Sequence, residues 1–96
     1  MRIGSVRHRG LRRLFERDDA SGLPAAYLDK INKMLSFLQE ATGPAELRSV
    51  PVWKVHTLTG DRKGVWALHV SPNWRLTFAI DPETLDVVDL DLEDYH

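Results

Sequence analysis

The stretch Val65-Trp66-Ala67-Leu68-His69-Val70-Ser71-Pro72-Asn73-Trp74-Arg75-Leu76-Thr77-Phe78-Ala79-Ile80 holds two runs of alternating character. In the first, Trp66, Leu68 and Val70 alternate with Val65, Ala67 and His69. In the second, Trp74, Leu76, Phe78 and Ile80 alternate with Asn73, Arg75, Thr77 and Ala79. A period of two sends successive side chains to opposite faces of a strand, so each run has one face to bury. Ser71-Pro72 supplies turn chemistry between them. So short a connection cannot make the crossover that parallel strands need, and the two strands must run antiparallel.

The same period continues on both sides. Downstream, after the turn at Asp81-Pro82-Glu83, Val88, Leu90 and Leu92 alternate with Asp89, Asp91 and Glu93. Upstream, Trp53 and Val55 alternate with Lys54 and His56, and Thr59-Gly60-Asp61 through Gly64 reads as the next turn. An antiparallel meander of about four strands is expected. Before Pro51 the period becomes helical. Leu11, Leu14 and Phe15 predict a short first helix after Gly10, ending near Asp18-Asp19. Ser21 is placed to cap a second helix, with Pro24 in its first turn. There Leu28, Ile31, Leu35 and Leu38 form one apolar stripe while Asp29, Lys30 and Lys33 face water, and Gly43-Pro44 stops the helix. Arg2 to Val6 could add a short edge strand. Helices first and strands after, each with one apolar face, predict an α+β fold: an N-terminal helical hairpin packed on the sheet.

Ninety-six residues suit one domain, 1–96, with one core. A chain this short buries only roughly 60–65% of the surface its unfolded form exposes, so its stability margin is thin. It has no cysteine. That removes disulfides and thiolate metal sites and fits a reducing compartment. Met1 to Gly10 is basic and interrupted by charges, which argues against a secretory signal or a membrane span and makes the cytoplasm the expected location. The net charge of −1 hides a strong segregation. Arg2, Arg7, Arg9, Arg12, Arg13 and Arg17 face only Glu16 at the start, and every charged residue from Asp81 onward is acidic. Such polarity suits a polyanion or an oppositely charged partner. Equally, the two ends could lie side by side and neutralise each other.

Strand parity also points to a site. If Trp53, Val55, Trp74, Leu76 and Phe78 face the helices, then Lys54, His56 and Arg75 face away from them, with Arg62 and Lys63 on the adjoining turn. A basic surface holding a histidine suits phosphodiester chemistry: cations neutralise phosphate, and imidazole moves protons near neutral pH. Solvated residues on an open sheet face would have the same pattern. By parity Asp94 and His96 go with Leu92 on the core side, so the tail must bend, bulge or lie at the sheet's rim to bring His96 near His56. Trp53, Trp66 and Trp74 read as core rather than as stacking platforms. His8 and His69 read as surface or half-buried histidines without a catalytic task.

Taken together, four stretches resemble the HigB branch of the RelE superfamily over nearly the whole chain. They are Val6-Arg7-His8-Arg9-Gly10-Leu11 with Leu14-Phe15-Glu16; His56-x-Leu58-x-Gly60-Asp61-Arg62-x-Gly64-x-Trp66; Asn73-Trp74-Arg75-Leu76-Thr77-Phe78; and Asp94-Tyr95-His96. The resemblance implies a RelE-like fold and a toxin that cleaves mRNA in the ribosomal A site without metal or cofactor. In such toxins the ribose 2′-hydroxyl attacks the adjacent phosphorus. His56, Arg75, Asp94, Tyr95 and His96 match the family's active-site positions. One histidine would take the 2′-hydroxyl proton and the other would protonate the leaving oxygen. Arg75 would stabilise the phosphorane, Asp94 would orient a histidine, and Tyr95 would contact RNA. Lys54, Arg62, Lys63 and Asn73 would contact RNA or phosphate. The resemblance further implies a HigA-like helix-turn-helix antitoxin, with operator DNA bound only through it, and the ribosome and mRNA as the other partners, with no membrane. Where relatives often read His-Pro-Leu-Lys-Gly, this chain has His56-Thr57-Leu58-Thr59-Gly60, so a basic residue is lost beside the expected site; Lys54 or Lys63 could substitute. Two alternatives stay open: a ParE-like toxin that poisons gyrase by binding, and a metal hydrolase using His56, Asp94 and His96.

Overall fold

The computed structural model describes residues 1–94, the side chain of Val52 excepted. The alternating runs form a hairpin of β2 (Trp66–His69) and β3 (Trp74–Ile80). Its turn is tied by the Ser71 hydroxyl, which accepts the N–H groups of Asn73 (3.2 Å) and Trp74 (3.1 Å). With β1 (His56–Thr57) and β4 (Val87–Asp94) they make an antiparallel sheet in the order β1-β2-β3-β4. The helices are α1 (Arg9–Arg17), α2 (Leu28–Glu40) and the one-turn α3 (Pro44–Leu47). The α+β meander expected from periodicity is present.

One apolar cluster joins the two layers. Leu11, Ile31, Met34 and Leu38 from the helices and Leu68, Leu76, Phe78 and Leu90 from the sheet are all fully buried in it. Trp53 packs edge-on against Phe37 of α2, with ring centroids 5.4 Å apart, and Trp66 is buried beneath the Arg48 guanidinium. The tryptophans are therefore packing residues. Gly10 and Gly22 allow the start of α1 to touch the loop before α2: a Cβ on Gly10 would overlap the Gly22 carbonyl.

Several local expectations are corrected. Ser21 does not cap the second helix. A 3₁₀ turn at Ala25–Tyr27 intervenes and α2 begins at Leu28, while the Ser21 N–H donates to Asp19 Oδ1 at 3.0 Å. The cap with a side chain is at α1, where His8 Nδ1 accepts the N–H groups of Gly10 (3.0 Å) and Leu11 (3.2 Å). Helix α2 ends at Glu40, and Gly43-Pro44 opens α3 instead of closing α2. The first strand does not begin at Trp53. Pro51–Trp53 is a 3₁₀ turn, and Lys54 is left-handed with φ 48°, so only His56 and Thr57 pair with β2. In β4 the buried valine is Val87 rather than Val88. The cause is a register shift opposite Thr77–Ala79, at which Asp89 takes φ 55°; an extra residue there turns Val88 out of step with Leu90 and Leu92.

The chain's two charged ends do lie together. Residues 2–7 run parallel to β4, with Gly4 N–H donating to Val87 O (2.7 Å) and Arg7 N–H to Leu90 O (2.7 Å). Arg2 meets Asp86 at 2.6 Å. The weakly signalled edge strand is thus realised as two isolated bridges that cover the outer edge of β4. Among the described residues no helix is long and apolar enough to cross a membrane.

Candidate active site

On the face turned away from the helices, the strand register sets side chains in two rows. His56 lies opposite Ala67, which lies opposite Thr77, which lies opposite Asp91. One step along, His69 lies opposite Arg75 and Arg75 opposite Glu93. Neighbouring strands are about 4.8 Å apart and residues two apart along a strand about 6.8 Å, so the backbones of His56 and Arg75 are separated by roughly 12 Å. Their parity relation holds: both belong to this face, His56 exposed and Arg75 half-buried.

The His56 ring is oriented by its own backbone. Nδ1 lies 2.8 Å from the Lys54 carbonyl oxygen. A carbonyl can only accept, so Nδ1 carries the hydrogen and Nε2 is the ring nitrogen left to exchange a proton. The left-handed Lys54 makes this contact possible by folding the chain back just before β1.

On β4, toward one side of the face, stands a group that the sequence marks only as part of the acidic tail. Glu93 accepts two hydrogen bonds from Arg62, Nη1 to Oε1 at 2.7 Å and Nη2 to Oε2 at 2.5 Å. Thr77 Oγ1 donates to the same carboxylate, and Arg75 Nη2 is 3.7 Å from it. Hydrogen bonding from Arg62 is the largest cause holding the Glu93 carboxyl at about 2; Thr77 and the two guanidinium charges add to it against the opposing effect of partial burial. Arg62 is correspondingly raised above its usual value, chiefly by its bonds to Glu93. Arg62 reaches this point from the 3₁₀ turn Gly60–Arg62 after β1. The rows below are not open to solvent: Ala67 and Thr77 are buried although they point away from the helices. Beside the ion pair lies a cleft of about 240 Å³ bordered by Arg7, Asp61, Arg62, Thr77, Asp89 and Glu93.

His69 also belongs to this face, although its sequence setting suggests no task. It is half-buried directly across from Arg75. Burial, with the charges of Lys54 and Lys30 adding to it, pushes its imidazole below the usual value and favours the neutral ring. Lys30 comes from α2 and donates to the Val70 carbonyl at 2.8 Å. The signal for His69 is present in the alternation of β2, which gives it the parity of Ala67. No comparable signal exists for the Arg62–Glu93 pair, whose members are 31 positions apart.

The remaining expected residues are distributed as follows. Lys63 is exposed on the turn after β1, and Asn73 is exposed on the turn between β2 and β3, at the end of the sheet where Arg75 and His69 lie. Asp94 pairs in register with Trp74 and is exposed at the rim, with the parity of Leu92. It is therefore on the helix side of the strand and is not brought beside His56. Tyr95 and His96 lie outside the described residues. Among the described residues, no three His, Asp or Glu side chains are grouped as metal ligands.

What this arrangement can do is offer guanidinium N–H groups flanking Glu93 to a phosphate and exchange a proton at His56 Nε2. The comparisons with known proteins agree in kind. The chain is 43% identical over 94 residues to the Endoribonuclease HigB of Proteus vulgaris, a match that covers 98% of this chain and 99% of that one. Its fold is similar to that of YafQ from E. coli strain BL21(DE3), with a TM-score of 0.56 at 19% identity, covering 94% of this chain and 91% of that one. A mutant of YafQ from E. coli gives a TM-score of 0.55 at 21% identity with the same coverage. Residues 4–96 match the family described as the RelE-like toxin of type II toxin-antitoxin system HigB. With a near-complete family match and a full-length relative, the chain belongs to the HigB-like family of RelE-like toxins.

Proposed function

We propose that this protein is the toxin of a type II toxin–antitoxin pair and an endoribonuclease that cuts mRNA on the ribosome, so inhibiting translation in the cytoplasm. The observation that carries the reading is the shared face of His56 and Arg75, a proton-exchanging nitrogen and a guanidinium set two strands apart on an otherwise packed sheet. In the reaction the ribose 2′-oxygen forms a bond to the adjacent phosphorus and the bond from phosphorus to the 5′-oxygen breaks. The 2′-hydroxyl proton passes to a base and the departing 5′-oxygen receives one from an acid. The products are a 2′,3′-cyclic phosphate and a free 5′-hydroxyl. His56 serves as one of the proton carriers, and Arg75 stabilises the charge on the phosphorane. Tyr95 and His96 supply RNA contacts and the second carrier, Asp94 at the rim orients a histidine, and Lys54, Lys63 and Asn73 line the approach of the strand. The ribosome holds the message in reacting geometry, which is a large part of the rate.

A HigA-like antitoxin silences the toxin, and the arginine-rich α1 is the favoured landing place. On the acidic strand Asp86 is already paired with Arg2, and a partner on α1 would block ribosome entry without filling the catalytic cleft. The test is to map mRNA 5′ ends after brief induction in cells, alongside purified protein incubated with mRNA with and without ribosomes. Discrete new ends within translated codons, and cutting only with ribosomes, are expected. Intact messages with blocked replication would overturn the reading in favour of a binding toxin, and equal cutting of naked RNA would remove the ribosome from it.

A further inference from the structure

We infer that Glu93 is the positioning residue of this face, holding the Arg62 guanidinium across the sheet beside Arg75 so that two cationic donors meet one RNA phosphate as a preset pair. The inference rests on the reading of the Arg75 face as the reacting site. Arg62 starts from a turn at the far end of β2, and an arginine side chain left alone there would be spread over many rotamers. Glu93 removes that freedom with two parallel hydrogen bonds, the strongest arrangement a carboxylate and a guanidinium can make. Thr77 fixes the carboxylate from the neighbouring strand, itself 1% exposed. The strand register then brings Arg75 to the same carboxylate.

Two guanidiniums side by side repel each other, and a shared anion offsets that repulsion. A carboxylate that faces both of them lets the pair persist before RNA arrives. Arg62 spends two Nη hydrogens on Glu93 and keeps its remaining N–H groups for another acceptor. Donors already in place need no reorganisation when charge develops on the phosphorane, so the benefit falls on the chemical step more than on binding. Glu93 does not touch the reacting atoms in this scheme.

The experiment combines arginine side-chain NMR on the free protein with cleavage of ribosome-bound mRNA measured as a function of toxin concentration. In the wild type, rotation about the Nε–Cζ bond of Arg62 is expected to be slow. In Glu93→Gln it becomes fast, kcat falls roughly 10- to 100-fold, and the half-saturating concentration stays within about threefold. Arg62→Ala gives a similar fall, and adding Arg62→Ala to Glu93→Gln costs little more because the two act through one contact. Fast rotation of Arg62 in the wild type, or a wild-type kcat for either single variant, overturns the proposal. Should Glu93→Gln fail to fold, the wild-type rotation and Arg62→Ala decide the matter. Arg75→Ala is the control for the reading beneath it. If that variant is inactive while Glu93→Gln is normal, only the positioning role is wrong. If Arg75→Ala cleaves normally, this face is not the reacting site and the proposal falls with it.

Discussion

Strands β3 and β4 present two unlike surfaces made from alternate residues of the same backbone. Toward the helices stand Leu76, Phe78, Leu90 and Leu92, all buried in the apolar core. Away from them stand Arg75, Thr77, Asp91 and Glu93; Glu93 accepts from Arg62 and Thr77 and faces Arg75, and the charge of Asp91 acts on Arg62. The first surface is held by volume and excluded water, which are non-directional, and it tolerates any side chain of the right size and polarity. The second is held by a few directed contacts, in which each partner's geometry matters. The contrast teaches that a residue's neighbour in sequence says nothing of its energetic role here. Leu76 and Thr77 are both buried, one by packing and one under an ion pair.

The largest test of that contrast is Phe78→Ala. Truncating a fully buried aromatic removes its transfer energy and leaves a cavity, about 3–5 kcal/mol. Against the roughly 5–15 kcal/mol typical of whole domains, urea titration should show a protein close to unfolding. A loss under about 1 kcal/mol would mean the two faces differ less than the packing indicates. Next in size, Arg75→Ala and His56→Ala should each lower mRNA cleavage by about 10²-fold, near 2.7 kcal/mol of barrier, and abolish growth inhibition. Their urea midpoints should stay close to wild type, since neither side chain fills the core. A variant that unfolds breaks the comparison, and one that stays fully toxic breaks the assigned role.

A third test uses pH. Glu93 has its carboxyl depressed from 4.5 to about 2 in the folded protein. A depressed carboxylate contributes stability that is fully present above its unfolded value and disappears as pH falls through the folded one. Stability should therefore fall between pH 4.5 and about 2 by about 2 kcal/mol from this group. That figure is reduced from the full shift because the Arg62 side chain is 40% exposed and solvent screens the pair. Acid titrations of wild type and Glu93→Gln, followed by circular dichroism, should differ in that window, with the variant flatter. Coincident curves would show that the polar face adds nothing to stability. The smallest effect expected is from His8→Ala, which removes the Nδ1 acceptor at the start of α1 for about 1 kcal/mol. No change in melting temperature would show that water replaces the cap.

The expected site was legible to different depths. His56 and Arg75 share a face because the period of two survives in β2 and β3, and register between adjacent antiparallel strands carries parity across the sheet. The same rule applies to His69, yet a histidine between apolar residues carries no mark of its own. Only its position opposite Arg75, with Lys54 and Lys30 nearby, distinguishes it. By sequence Arg62 belongs among the phosphate contacts of the turn, whereas folding engages it with Glu93.

Local pattern determined the period of α1, α2, β2 and β3, the order of helices before strands, the turns at Gly60, Ser71-Pro72 and Asp81-Pro82, and the face on which each regular strand residue lies. These follow from backbone geometry and from burial of apolar side chains, which operate over a few neighbouring residues. Tertiary structure alone decided the rest. The bulge at Asp89 accompanies the change of register against Thr77–Ala79, the left-handed Lys54 aims the His56 ring, and Glu93 meets Arg62 and Arg75 only once the sheet has formed. Each depends on groups distant along the chain arriving within hydrogen-bond reach, and directional contacts of that kind leave no periodic trace in the residues that make them.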